Sequence, residues 1–148
     1  MRQLVESRGL AWSIRSAGLR AESRIAPSAV AALRRRGIEV AARPAVQLSE
    51  DLVANASLVL CMTAEQRRVL TAAMPAHAPK IHVWGAFVDQ SAASRTDRDA
   101  GHDVADPAGG TDEVYEATAA IIESLAGATL NALTGCQSAA SGEGCEGS

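Results

Sequence analysis

The sequence has 148 residues, 47% of them apolar on a broad count and 21% charged, which is the balance of one soluble globular domain and too little chain for two of ordinary size. Its net charge of −3 is unevenly spread: residues 1–55 hold nine Arg against five acids, and residues 56–148 hold five Lys or Arg against twelve acids. No run of eighteen apolar residues exists, and the first twenty residues carry Arg2, Glu6, Arg8, Arg15 and Arg20 without an apolar stretch, so neither a signal peptide nor a membrane anchor is expected and the cytoplasm is the expected address.

Ala accounts for 31 residues and Phe, Tyr and Trp together for four, so the core has to be built from small and branched aliphatic side chains on closely packed helices. Cys61, Cys136 and Cys145 make an odd count, and the last two lie in a Ser/Gly-rich stretch, which is no disulfide framework. His77, His82 and His102 are scattered and no Cys-x-x-Cys occurs, so no metal site is expected. The acidic balance and the lack of aromatics among the Arg residues argue against a nucleic-acid partner; Arg34, Arg35 and Arg36 read as a solvated helix face.

In chain order, Met1 to Ser7 reads as a helix without a cap, stopped at Gly9, and Ala11 to Arg15 alternates as a short strand ending at Ser16-Ala17-Gly18. Pro27 to Arg36 has Pro in its first turn, cations in its last and Gly37 just beyond, the ends of an ordinary helix. Ser49 to Val53 reads as a short capped helix. Leu58 to Met62 is a continuous apolar run, as in a strand buried on both faces. Thr63-Ala64-Glu65-Gln66 is a capping box that opens a helix to about Met74-Pro75. Ile81 to Trp84 is a further strand, and strands alternating with helices imply a parallel sheet whose ligands bind beyond its carboxyl ends. Residues 89 to 110 form a polar loop with Asp89, Asp97, Asp99, Asp103 and Asp106. Thr111 or Asp112 then caps a helix presenting Val114, Ala117, Ile121, Ile122 and Leu125 on one face to about Leu133. Residues 134 to 148 read as a disordered tail after a domain of residues 1 to 133.

Read in order, Ser16-Ala17-Gly18, Pro27 through Gly37-Ile38, Leu48-Ser49 through Leu58-Val59-Leu60-Cys61-Met62-Thr63, and Asp106-Pro107 with Tyr115 downstream resemble the low-molecular-weight protein-tyrosine phosphatases over residues 1 to about 133. The resemblance implies an α/β fold of three layers around a parallel sheet of nominally four strands. It implies hydrolysis of phosphomonoesters, with a phosphotyrosine protein or a small aryl phosphate as partner and no cofactor. The family's chemistry needs a Cys thiolate and an Arg on a Cys-x5-Arg-Ser loop after the first strand, where backbone N–H groups and a helix N-terminus bind phosphate and lower the thiol pKa. It also needs a carboxylic acid to protonate the leaving phenolate. Asp106 is the position that matches this acid, although Asp-Pro followed by Gly-Gly is also a turn signal.

The opening Met1-Arg2-Gln3-Leu4-Val5-Glu6 matches the middle of the family's first helix. The first strand and the nucleophile loop are therefore expected upstream of Met1, and the chain as given is expected to be inactive. In the family that strand lies between those matching Trp12–Arg15 and Leu58–Met62, so an unpaired gap or a slipped sheet is expected, with self-association through open edges. A literal Cys-x5-Arg runs from Cys61 to Arg67, but it lacks Gly, places Glu65 where phosphate would sit, and has Arg68 where Ser or Thr is usual; Cys61 is expected to be a buried small hydrophobe rather than a nucleophile. Ala108 departs from the large residue usual after Asp-Pro, and Trp84 and Tyr115 are the aromatics available to replace it. Two other readings are a non-catalytic remnant acting as a binding protein and an arsenate reductase, for which Cys136 and Cys145 would have to supply the extra thiols.

Overall fold

The computed structural model describes residues 1–19, 25–40, 45–89 and 99–140, with side chains to 135. Six helices and two strands follow in the order α1 (Arg2–Ser7), α2 (Pro27–Arg35), α3 (Glu50–Ala54), β1 (Val59–Cys61), α4 (Ala64–Ala73), β2 (Ile81–Val83), α5 (Trp84–Val88) and α6 (Asp112–Ala140), with a 3-10 turn at Pro75–Lys80 before β2. Strands β1 and β2 pair in parallel with Val59 opposite Ile81 and Cys61 opposite Val83. A single parallel bridge joins Gly18 to Gln47.

Local signals account for most of these boundaries. Gly9 and Gly37 take the left-handed conformation, φ +64° and +66°, just beyond α1 and α2, which only Gly adopts without strain. Ser49 Oγ accepts from Leu52 N–H at 3.3 Å and Thr63 Oγ1 from Gln66 N–H at 3.2 Å, so both expected caps form. Gln66 Oε1 in return accepts from Met62 N–H at 2.9 Å, one residue before the partner of a standard capping box.

Val53, Cys61, Leu70 and Ile81 form one core cluster in which α3, β1, α4 and β2 meet, with Leu48, Val59 and Met74 packed around it. Helix α6 packs against α2, α5 and α1. Its buried residues are Ala126, Thr129 and Leu130. Of the face expected from the sequence, Val114 and Ile121 are exposed and Ile122 and Leu125 are half-buried. The buried positions of α6 among its described side chains all lie in its second half.

Several other expectations are corrected. Trp12 to Arg15 alternates in exposure, but it is not a strand: among the described residues β1 pairs with β2 alone, and no backbone N–H of residues 11–17 donates to another backbone group. Among the described residues the sheet has two parallel strands and a bridge, a small parallel sheet among helices as an α/β fold requires. Trp84 opens α5 instead of ending a strand. Helix α6 runs on to Ala140, so residues 134–140 are helical rather than a tail, and residues 141–148, with Cys145, lie outside the described residues. Asp97 also lies outside them.

The basic run on α2 is more than a solvated face. Arg35 and Arg36 both pair with Glu116 on α6, and Arg36 reaches Glu123 at 3.4 Å and the Glu116 carbonyl at 3.1 Å. The hydrogen bond from Arg36 holds the Glu116 carboxyl below its ordinary pKa. This clamp ties α2 to the outer side of α6.

Candidate active site

The carboxyl end of β1 is where the sequence-derived candidates gather, and Asp106 reaches it through the segment that precedes it. Val104 is buried and its N–H donates to the carbonyl of Met62, the residue after β1, at 2.8 Å. Asp103 Oδ1 accepts from Ala64 N–H, the first residue of α4, at 2.7 Å. Two residues beyond Val104, Asp106 is exposed, and its Oδ1 accepts from Ala108 N–H at 3.0 Å. The turn closes with Gly109 at φ +78° and Gly110 N–H donating to the Pro107 carbonyl at 2.9 Å. Turn chemistry and the position beyond the strand end are therefore combined in one loop: the Asp-Pro-x-Gly turn presents a carboxylate to solvent on a stem fixed at the β1–α4 junction.

Cys61 stands differently. It is only 4% exposed, inside the cluster of Val53, Leu70 and Ile81. Burial pushes its thiol pKa up to about 11, against a smaller opposing effect of the nearby Arg67 charge. A nucleophilic Cys needs the reverse, a thiolate stabilised by surrounding N–H groups or cations. Arg67 is also committed: its Nε donates to the Ile81 carbonyl at 3.0 Å and its Nη1 to Asp99 Oδ2 at 2.6 Å. Arg68 pairs with Glu65 along the surface of α4. The capping of α4 by Thr63 and Asp103 closes off the N–H groups that a phosphate ring would require.

The two aromatics named for the substrate wall are placed apart in character. Trp84 is buried, 7% exposed, with Nε1 donating to Thr129 Oγ1 at 2.8 Å, so it is part of the α5–α6 core. Tyr115 is half-buried in the first turn of α6. His82 lies against Phe87 with ring centroids 5.6 Å apart, and burial lowers its pKa. His102 is mostly buried, its Nε2 3.5 Å from Asp89 Oδ2 at the end of α5. Among the described residues no three His, Cys, Asp or Glu side chains converge as a metal site, and no helix is long and apolar enough to cross a membrane.

Gly85 was not singled out by the sequence pattern and matters here. A Cβ at Gly85 would stand 2.6 Å from the His102 carbonyl oxygen, so only Gly lets α5 and the stem of the Asp106 loop approach this closely. The available signal was a Gly one residue into an apolar run, Trp84-Gly85-Ala86-Phe87-Val88, directly after a strand.

The same architecture is found in solved structures. An arginine phosphatase, YwlE, from Geobacillus stearothermophilus is 28% identical, with 97% of this chain and 87% of that chain covered at a TM-score of 0.77. A low molecular weight protein tyrosine phosphatase from T. tengcongensis is 29% identical, covering 87% of this chain and 83% of its own, at a TM-score of 0.75. A YwlE mutant from Bacillus subtilis is 27% identical, covering 90% and 84%, at a TM-score of 0.77. No curated protein matches the chain. The family model of low molecular weight phosphotyrosine protein phosphatases matches residues 1–138, a span that includes both strands, the Asp106 loop and nearly all of α6, and the chain belongs to that family.

Proposed function

We propose that this chain serves phosphate-ester hydrolysis, with phosphotyrosine in a protein or a small aryl phosphate as substrate, and that Asp106 is its general acid and base. The observation that carries this reading is the docking of the Asp106 loop beyond the carboxyl end of β1, through Val104 to Met62 and Asp103 to Ala64. In the chemistry of the family a Cys thiolate attacks phosphorus and the bond to the phenol oxygen breaks. The departing phenolate takes a proton from the acid; the same carboxylate then takes one from water as that water attacks the phosphocysteine and releases inorganic phosphate. An exposed carboxylate on a fixed stem suits both steps, since it has to meet a substrate and then a water.

The thiolate and the anion-binding Arg are assigned to no residue of the 148. The one Cys-x5-Arg spacing, Cys61 to Arg67, has a buried thiol held protonated and an Arg occupied by Ile81 and Asp99. A reducing compartment such as the cytoplasm suits a thiol-dependent reaction, and self-association fits the second edge of β1, which pairs with no strand among the described residues. The likeness to YwlE supports a second substrate class, phosphoarginine, whose leaving guanidine also needs a proton from the acid.

Hydrolysis of an aryl phosphate tests the assignment. The 148-residue chain is expected to turn over p-nitrophenyl phosphate no faster than buffer, and Cys61→Ser to change nothing; turnover abolished by Cys61→Ser would overturn the assignment of Cys61. In a chain fused ahead of Met1 to the strand and Cys-x5-Arg-Ser loop of an active relative, Asp106→Asn is expected to lower turnover of phenyl phosphate by roughly 10²–10⁴. A good leaving group should suffer much less, and equal losses on both would leave Asp106 as a turn residue. Phosphotyrosine and phosphoarginine peptides in the same assay separate the two substrate classes.

A further inference from the structure

The segment carrying Asp106 is acidic and irregular, yet it is held at four places between residues 99 and 104. Asp99 binds Arg67, the His102 backbone lies against Gly85, Asp103 binds Ala64 N–H, and Val104 N–H binds the Met62 carbonyl. Asp103 is the polar side-chain anchor nearest in sequence to Asp106, and it stands beside the buried Val104.

Its partner explains why a carboxylate is there. Ala64 is the first residue of α4, and its N–H is among the first-turn donors that no carbonyl within the helix can reach. Thr63 Oγ1 is already used by Gln66 N–H and Gln66 Oε1 by Met62 N–H, so the local cap leaves Ala64 to be served from elsewhere. Asp103, 39 residues on, supplies the acceptor, and its negative charge meets the positive end of the helix dipole. A capping requirement of α4 is thereby turned into a long-range link to the loop.

We propose that Asp103 is the positioning residue of the acid loop: seated on the first N–H of α4, its carboxylate fixes the loop stem at the β1–α4 junction and so sets where the Asp106 carboxyl stands. This rests on the reading of Asp106 as the acid. The two carboxylates are three positions apart, with Val104 and Ala105 between them, a reach of about 10 Å in extended chain, so a stem released at Asp103 lets Asp106 move by more than catalytic alignment tolerates. Asp103 touches neither substrate nor reacting atoms in this role.

The 148-residue chain itself permits the test, by amide hydrogen exchange and by the pH dependence of the Ala108 amide resonance, whose N–H is bonded to Asp106 Oδ1. Asp103→Ala is expected to raise exchange at Ala64 and Val104 by about 5- to 30-fold, the equivalent of a lost cap, and to flatten the Ala108 titration. Asp103→Asn keeps an acceptor oxygen and should restore most of both, while amides of α2 and α6 keep their protection in either variant. Unchanged Val104 exchange and Ala108 titration in Asp103→Ala would overturn the proposal, as would failure of Asn to rescue or a loss of protection spread over α2 and α6. Asp106→Asn should leave Ala64 and Val104 protected, so failure of the acid assignment in the turnover assay is read separately from failure of the anchor.

Discussion

Two segments of this protein reverse what their sequences suggest. Residues 11–18 read as a strand: Trp12 and Ile14 alternate with exposed neighbours, and Gly18 bridges to Gln47. Yet among the described residues the backbone from 11 to 17 is met only at the Ile14 carbonyl, by the Arg2 guanidinium at 3.1 Å. Residues 99–110 read as a loop of Asp, Gly and Pro, and they are tied to β1, α4 and α5 by two side chains, a backbone hydrogen bond and a close contact at Gly85. The difference shows that an alternating pattern is a property of the local chain, whereas a strand exists only when a neighbour answers its N–H and C=O groups. An irregular segment with the right acceptors is held better than a regular one without a partner.

The widest separation between the two regions should come from truncating one aliphatic side chain in each. Ile81 is fully buried in the cluster beneath the anchored end, so Ile81→Ala should cost about 2–5 kcal/mol. Ile14 is half-buried in the unpaired segment, and Ile14→Ala should cost less than about 1 kcal/mol. Urea unfolding of the two variants measures both, and equal losses would show that residues 11–17 are packed as firmly as the core.

Cys61 offers a sharper probe of the same end. Because its thiol pKa is raised to about 11 in the folded chain from an ordinary 9.0, the unfolded chain ionises first as pH rises. The stabilisation from keeping it neutral is complete below pH 9 and is lost between pH 9 and 11, by at most about 2–3 kcal/mol. Unfolding free energy measured across that window should fall in the native sequence and fall less in Cys61→Ala. At pH 8 the native thiol should resist iodoacetamide and react once urea is added; rapid native alkylation would mean that β1 opens readily.

A smaller effect tests the dock directly. Gly85→Ala places a Cβ against the His102 carbonyl, a backbone atom that cannot swing aside, and should cost about 1–3 kcal/mol with the loss of exchange protection centred on residues 102–104. A stability change within about 0.5 kcal/mol would show that the stem of the Asp106 loop yields without strain, and that the contrast with residues 11–18 is weaker than the contacts imply.

Much was decided by the sequence alone, wherever the cause is local. Pro27 and Gly37 bound α2, Ser49 and Thr63 cap α3 and α4, and the apolar runs place β1 and β2, because capping, φ restriction and periodicity act within a few residues. The Asp-Pro-x-Gly turn at Asp106 was legible as well, as was the family, through an ordered set of segments. The tertiary structure decided what depends on a distant partner. It determined that Trp12 to Arg15 finds no ladder among the described residues, that α6 turns Ala126, Thr129 and Leu130 inward rather than Val114 and Ile121, and that Arg36 clamps Glu116 instead of facing water. It also separated Asp103 from the other acids of its loop, because the N–H that gives it a role belongs to a helix 39 residues earlier in the chain, beyond the reach of any local pattern.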